Sequence, residues 1–383
     1  MNFEEHAGKP LLRAAGIATP PGEVVTDVTG ARAAADKLGG RCVVKAQVPT
    51  GKRGKAGGIA VCGSSEEAAM AAERILGMTI GDAVVERLLV EGQVAIAREF
   101  YAAVLNDPET KGPLLLFSPE GGMDIEEIAA EHPDRLARIP VDIRKGCDLT
   151  EITTALARMG LGNAPAVALV LSKLYDAYRA NDAELMEINP LVQTDDGSLI
   201  ALDCKFTLDD SAIKRRDALA AEGSPDPVTE LEARAKALDL KFFEFEGNVG
   251  VLANGAGLTM TTMDAVRHYG GAPANFLEIG GESYTKGKEA LELVLANPGV
   301  KSLLVNFCGA FARCDVMTDG ILNAWEELKP DVPVFWTIHG TGEEEAQQMV
   351  RDRLGLEPFD LMDDAVKAAV NAAQQTAHEG AAS

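Results

Sequence analysis

Basic residues are scarce in this chain of 383 residues, where 36 Lys and Arg stand against 59 Asp and Glu for a formal net charge of −23. Such a surface repels nucleic-acid phosphates and anionic lipid, so neither is expected as a partner. An anion site must then be a local island where Lys, Arg, backbone N–H groups or a bound cation override the general field. Soft metal ligands are thin as well. The 5 histidines form no His-x-x-x-His pair and the 6 cysteines no Cys-x-x-Cys pair, which leaves little from which to build a zinc site. Cys42, Cys62, Cys147, Cys204, Cys308 and Cys314 are scattered through a chain too large to need disulfide staples, so reduced, mostly buried thiols are expected. The longest apolar run, near 164–171, is far too short to span a bilayer. Residues 1–10 carry two glutamates and no apolar stretch, unlike a secretory signal, and a soluble, cytoplasmic protein is expected. No internal repeat or low-complexity tract is visible.

A hydrophobic content of 46% supplies cores, and the length suits two or three domains. Residues 40–48 and 59–62 read as strands around the Gly- and Lys/Arg-rich segment 49–58, a hairpin with a long loop. Ser64 and Glu67 form a capping-box pattern for a helix through Ile75. Further strands are expected at 84–90, 95–105 and 114–118, and a second hairpin at 185–202 turns at Asp195, Asp196 and Gly197. The charged stretch 209–245 reads as a linker, dividing the chain into 1–240 and 246–383. Beyond it, strands near 249–253, 274–279, 302–307 and 332–338 alternate with helices near 259–268, 287–295, 315–328, 343–354 and 363–374. That alternation predicts a doubly wound parallel sheet with helices on both faces.

Two constellations can carry chemistry. The densest basic island is 45–58, where exposed N–H groups and cationic side chains can fold over a polyphosphate while Lys45 reaches an oxygen from the preceding strand. No Gly-Lys-Ser/Thr follows at Walker spacing. In the second hairpin, Asn189 and Asp203 are equidistant from Asp196 and so pair across the strands. One amide oxygen and one carboxylate facing the same spot, with room for phosphate oxygens and water, suit Mg²⁺. Glu187 shares the face of Asn189 and can orient a ligand. In the last third, Asn254 to Gly257, Gly280-Gly281, Gly309 to Arg313 and His339 to Gly342 follow strands, where such sheets bind carboxylates or phosphates.

The runs Val43-Val-Lys-Ala-Gln-Val, Lys52-Arg-Gly-Lys-Ala-Gly-Gly58, Glu187-Ile-Asn-Pro-Leu-Val192, Leu202-Asp-Cys-Lys205 and Gly250-Val-Leu-Ala-Asn-Gly-Ala-Gly-Leu258 resemble the β subunit of succinate:CoA ligase. Thr262-Met-Asp264, Gly270-Gly-Ala-Pro-Ala-Asn-Phe-Leu277 and Arg313-Cys-Asp315 extend the resemblance in order over nearly the whole chain. It implies an ATP-grasp N-terminal half, a flavodoxin-like C-terminal half, and an α-subunit partner in an αβ or α2β2 assembly. In that family the α subunit binds CoA and carries the histidine that Mg²⁺ and ATP phosphorylate; the phosphoryl group passes to an acid, and CoA displaces phosphate. The resemblance puts Lys45, Lys52, Arg53, Gly54, Glu91, Val94 and Glu99 at nucleotide-binding positions and Asn189 and Asp203 at the metal positions. It puts Asn254 and the run Gly309, Ala310, Phe311, Ala312 and Arg313 at acid-binding positions near the α-subunit contact.

Departures from the family cluster at the acid end. Gly309-Ala310 replaces Gly-Gly, Phe311-Ala312 replaces smaller or β-branched aliphatics, and Thr337 and His339 stand where relatives carry Arg and Glu. Lys52 replaces a glycine of the phosphate loop. His339, a lone loop histidine, reads as a hydrogen-bonding residue in preference to a phosphate carrier. Succinate is the default acid, with malate or another dicarboxylate next. A stand-alone ATP-grasp carboxylate ligase and a nucleotide-binding regulatory module are the other readings; retention of Glu91, Asn189 and Asp203 weighs against the module.

Overall fold

The computed structural model describes residues 1–51, 53–122, 125–225, 228–279 and 286–381. They form two compact units, Met1–Asp226 and Pro227–Ser383. Lys52, Gly280 and Gly281 lie outside the described residues, as do Asp226 and Pro227 of the charged stretch.

The first unit opens with β1 (Asn2–Phe3), α1 (Glu5–Ala14), β2 (Gly22–Val25), α2 (Val28–Lys37), β3 (Cys42–Gln47), β4 (Ile59–Cys62) and α3 (Ser65–Ile75). It continues through β5 (Thr79–Ile80), β6 (Ala83–Val84), β7 (Arg87–Gly92), β8 (Arg98–Asp107), β9 (Gly112–Ser118), α4 (Ile125–Glu131) and β10 (Ala137–Pro140). It closes with α5 (Leu149–Arg158), α6 (Ala164–Ala180), β11 (Ala183–Gln193), β12 (Leu199–Ala201), β13 (Lys205–Leu208) and α7 (Asp217–Ala220). One antiparallel sheet has the order β2-β7-β3-β4, and a larger one runs β1-β13-β11-β8-β9-β10 with β12 beside β11. The first hairpin forms as expected, Cys42 opposite Cys62 and Lys45 opposite Ile59. At the start of α3, Ser64 accepts from the Glu67 N–H at 3.2 Å, but the Glu67 carboxylate takes the Gly63 N–H at 2.8 Å, so the capping box forms only by half.

The apolar run near 164–171 belongs to α6, which buries Val167, Leu171, Leu174 and Tyr178 in the core of the larger sheet. Their i, i+4, i+7 and i+11 spacing is a single helix face. Among the described residues, no helix is long and apolar enough to cross a membrane. All six cysteines are free; four are buried, Cys147 is half-buried and Cys308 is exposed.

The second unit contains α8 (Glu230–Ala237), β14 (Lys241–Glu244), β15 (Val249–Ala253), α9 (Ala256–His268), β16 (Asn275–Glu278), α10 (Gly287–Ala296), β17 (Ser302–Gly309), α11 (Cys314–Leu328), β18 (Val334–Gly340), α12 (Glu343–Leu354) and α13 (Met362–Ala381). Its sheet has the order β14-β16-β15-β17-β18. The four expected strands pair in parallel, and β14 adds an antiparallel edge beside β16. The stretch read as linker, which already holds α7, supplies this unit with α8, with a complete Thr229/Glu232 capping box, and β14, which buries Phe242 and exposes Phe243. The side chains of α10, α11 and α12 fill one face of the sheet around Trp336, and those of α9 and α13 fill the other. After β15 the chain moves to β16 on one side and then crosses to β17 on the other. A crevice opens between such strands at their carboxyl ends.

Candidate functional site

In the first unit, six charged side chains from five chain segments converge. Lys9 and Glu5 come from α1, Lys45 from β3, Arg53 from the loop after β3, Glu91 from β7, and Asp203 from the break between β12 and β13. The Lys9 ammonium lies 2.6 Å from both Glu91 oxygens and 2.6 Å from Glu5 Oε1. Lys45 Nζ lies 2.7 Å from Glu5 Oε1 and 2.9 Å from Glu91 Oε2. Both ammoniums also donate to the Leu202 carbonyl. Arg53 Nη2 donates to both oxygens of Asp203 at 2.8 Å, while Nη1 is anchored on the Ala46 carbonyl at 2.9 Å. Three cations and three anions balance, and every member except Asp203 is buried.

Balance matters at this depth, because leaving one charge of a buried network unpaired costs about 3–5 kcal/mol. Burial opposes the charge on Glu5, but Lys45, then Arg53 and Lys9, outweigh it and hold the carboxyl well below the usual range. Burial likewise disfavours the Lys45 cation; Glu5, Glu91 and Asp203 reverse that and raise its pKa. For Arg53 the same contest is decided by Asp203 and Glu5.

The loop that delivers Arg53 is closed at its far end by Gly58. A Cβ there would stand 2.6 Å from Ile80 Cδ1, 3.1 Å from Ala46 Cβ and 3.2 Å from the Arg53 carbonyl oxygen. A side chain there would need Ile80 to swing aside and Ala46 and the Arg53 carbonyl to give by a few tenths of an ångström.

The second hairpin has the register expected from its turn. Leu191 faces Ala201 and Glu187 faces Lys205, which brings Asn189 level with Asp203. Asn189 Oδ1 accepts from the Gly122 N–H at 2.8 Å. Glu99, on β8, lies in the same neighbourhood, since a Cβ on Gly122 would meet its Oε2 at 2.7 Å. Glu187 accepts from the Tyr101 hydroxyl at 2.9 Å.

In the second unit, the crevice between β15 and β17 is spanned by one side chain. Asn254 donates from Nδ2 to the Cys308 carbonyl at 2.8 Å and accepts the Cys308 N–H on Oδ1 at 2.7 Å. Gly309 and Gly340 face each other on β17 and β18. Gly340 has φ +93°, and a Cβ on it would strike the Gly309 carbonyl. Beyond Gly309 the chain exposes Ala310, and Phe311 is 89% exposed, whereas Ala312 is buried. Arg313 turns back onto Asp315 with contacts of 2.9 and 3.0 Å. His339 Nε2 lies 2.7 Å from the Asp360 carbonyl oxygen, so Nε2 carries the proton, and Nδ1 lies 3.9 Å from Glu343 Oε2. Thr337, wholly buried, leaves its hydroxyl without a hydrogen bond among the described residues.

Family models match this chain twice, an ATP-grasp domain over residues 2–193 and a CoA-ligase over 252–373. The succinate–CoA ligase [ADP-forming] subunit beta of Rubrobacter xylanophilus is 41% identical over 99% of this chain and 100% of its own length. The chain belongs to the succinate–CoA ligase β-subunit family. The [GDP-forming] subunit beta of Thermus thermophilus is 40% identical over 92% of this chain and 94% of its own. Among solved structures, ATP citrate lyase from Methanothrix soehngenii superimposes with TM-score 0.68 at 24% identity, covering 97% of this chain and 99% of that one. The fold is thus an ATP-grasp half followed by a flavodoxin-like CoA-ligase half, and the protein is an ADP-forming acid:CoA ligase β subunit.

Of the residues singled out by resemblance to the succinate–CoA ligase β subunits, the structure gathers Lys45, Arg53, Glu91 and Asp203 into one cluster. Asn189 and Glu99 lie together beside Gly122, and Gly54 sits next to Arg53 in the loop. Val94 lies in the segment between β7 and β8. The Glu91 carboxylate is buried and taken up by Lys9 and Lys45, so any effect of that side chain on a nucleotide passes through the lysines. Glu5 and Lys9 escaped the sequence reading. Their signal is a Glu-x-x-x-Lys pair in a first helix, a pattern that ordinarily marks a solvated helix face.

Proposed function

We propose that the first unit binds Mg·ATP, with Lys45 and Arg53 on the polyphosphate and with Asn189 and Asp203 holding the cation. The convergence of Lys45 and Arg53 with Asp203, which lies 150 positions beyond Arg53, is the observation that supports this most directly. The donor set fits Mg²⁺: one amide oxygen, one carboxylate, and a guanidinium standing as counter-charge where a cation would sit. Among the described residues no three His, Cys, Asp or Glu side chains gather into a metal site, so the nucleotide's oxygens and water complete the shell. When bound, the ion supplies charge neutralisation for phosphoryl transfer. Gly54, Val94 and Glu99 line the nucleotide, and Lys52 adds charge to the loop.

The γ-phosphoryl group passes to a histidine of the partner α subunit, releasing ADP, and then to a small dicarboxylic acid. CoA, bound mainly by the α subunit, displaces phosphate through its sulfur to give the acyl-CoA. Asn254, Gly309, Ala310, Phe311, Ala312 and Arg313 form the acid end, with succinate the default acid and malate the alternative. The assembly is αβ or α2β2 and cytoplasmic, and the domain limits at 1–240 and 246–383 correspond to the nucleotide and ligase halves.

The test is incubation of the purified chain with γ-labelled ATP, with and without the α subunit encoded in the same genome. Acid-labile label on the α subunit alone is expected. Stoichiometric phosphohistidine on the isolated chain, lost in His339→Ala, would overturn the reading.

A further inference from the structure

We propose that Glu5 is a positioning residue that receives the Arg53 guanidinium when Asp203 turns to a cation. This rests on the proposed metal role of Asp203. The observation is a mismatch at one nitrogen. Arg53 Nη2 gives its directed hydrogen bonds to the two Asp203 oxygens. Glu5 Oε2 sits 2.8 Å from the same nitrogen, wholly buried and ion-paired with it, but off the direction of a well-aligned hydrogen bond. Its sister oxygen is fully engaged by Lys9 and Lys45.

One guanidinium nitrogen is thus shared between two carboxylates, with its well-directed hydrogen bonds on Asp203 and its ion pair to Glu5 ready to take a better direction. When a cation takes the Asp203 oxygens, Nη2 loses both acceptors at once. A small rotation of the guanidinium, pivoting on the Nη1 bond to Ala46, then turns one N–H onto Glu5 Oε2 and leaves the other for a phosphate oxygen. Arg53 moves without passing through an unpaired buried state. Cation binding at Asp203 and readiness of Arg53 for the polyphosphate become one coupled event, with Glu5 as the receiving group.

The experiment measures Mn²⁺ affinity of the full chain, co-purified with its α subunit, by the electron paramagnetic resonance signal of free Mn²⁺ without nucleotide. The variants are Glu5→Gln, Arg53→Gln, their combination and Asp203→Asn. Glu5→Gln is expected to weaken Mn²⁺ binding about tenfold, because Arg53 then leaves Asp203 with no carboxylate to receive it. In the Arg53→Gln background the same change is expected to have no effect. Weakening of equal size in both backgrounds would mean that Glu5 acts only through its charge at a distance, and the proposal fails. So does unchanged affinity in Glu5→Gln when Asp203→Asn still abolishes binding. Binding that ignores Asp203→Asn overturns the metal reading itself, and this inference with it. Should Glu5→Gln fold poorly, Glu5→Asp, which keeps the charge but withdraws it by one methylene, is expected to weaken Mn²⁺ binding in the native Arg53 background alone.

Discussion

Arg53 and Asp203, 150 positions apart, meet through two hydrogen bonds of 2.8 Å from a single guanidinium nitrogen. The loop after β3 is thereby tied to the second hairpin by the carboxylate that the proposed chemistry needs for a cation.

Asp203→Ala removes that carboxylate from a site where its side chain is 33% exposed. Arg53 keeps Glu5 as a counter-charge, so the fold is expected to survive, with an unchanged far-UV spectrum. ATP-dependent phosphorylation of the α subunit is expected to fall by roughly 100-fold or more, since polyphosphate charge is left poorly neutralised. Full turnover in this variant would remove Asp203 from the reaction.

Two glycines of one loop are expected to behave differently. Gly58→Ala forces a Cβ against Ala46 and the Arg53 carbonyl and is expected to cost about 1–3 kcal/mol by urea unfolding. A Cβ on Gly54 would meet only Ile59 Cδ1 at 3.9 Å. Gly54→Ala is expected to unfold within about 0.5 kcal/mol of the wild type, so a raised KM for ATP there reports contact with nucleotide and not a damaged loop.

His339→Glu places a carboxylate next to Glu343, on the strand beside the proposed acid end. Because relatives carry Glu at this position, the expected result is an altered ratio of malate to succinate in kcat/KM across succinate, malate, itaconate and glutarate, with an unchanged KM for ATP. Uniform, unaltered values across the four acids would place His339 outside the acid site.

Asp182 offers a pH test outside the charged cluster. Hydrogen bonds from Arg215 and Arg216 lower its pKa from 3.8 to about 2. Because the folded value lies below the unfolded one, the pairing stabilises fully above about pH 4 and is lost as the pH falls toward 2. The side chain is 24% exposed, so solvent screening keeps the effect under about 1 kcal/mol. Urea midpoints of wild type and Asp182→Asn are expected to differ at pH 7 and to converge near pH 2.

The parallel strands and their helices were legible because each strand is a compact apolar run and each helix keeps one period, so their limits read from sequence fall within a few residues of the observed ones, except that α13 runs on to Ala381. The second hairpin was legible for a geometric reason: a turn centred on Asp196 leaves one register. What stayed hidden depends on packing between distant segments. Lys241-Phe-Phe-Glu244 reads as charged linker until β16 supplies an edge to pair with. Glu5 and Lys9 look like a solvated helical pair, and only the approach of β3, β7 and Leu202 buries them. No local pattern announces that burial.

The break between β12 and β13 sets a rule for insertions and deletions. Lengthening the turn at 194–198 leaves the pairs Leu191–Ala201 and Glu187–Lys205 in place, so natural and engineered length variation is tolerable there. One residue added between Ala201 and Lys205 would shift Asp203 to the opposite side of the sheet and carry the Leu202 carbonyl away from both ammoniums. Three residues, 202–204, therefore act as a fixed-length ruler within a hairpin that is otherwise free to vary at its tip.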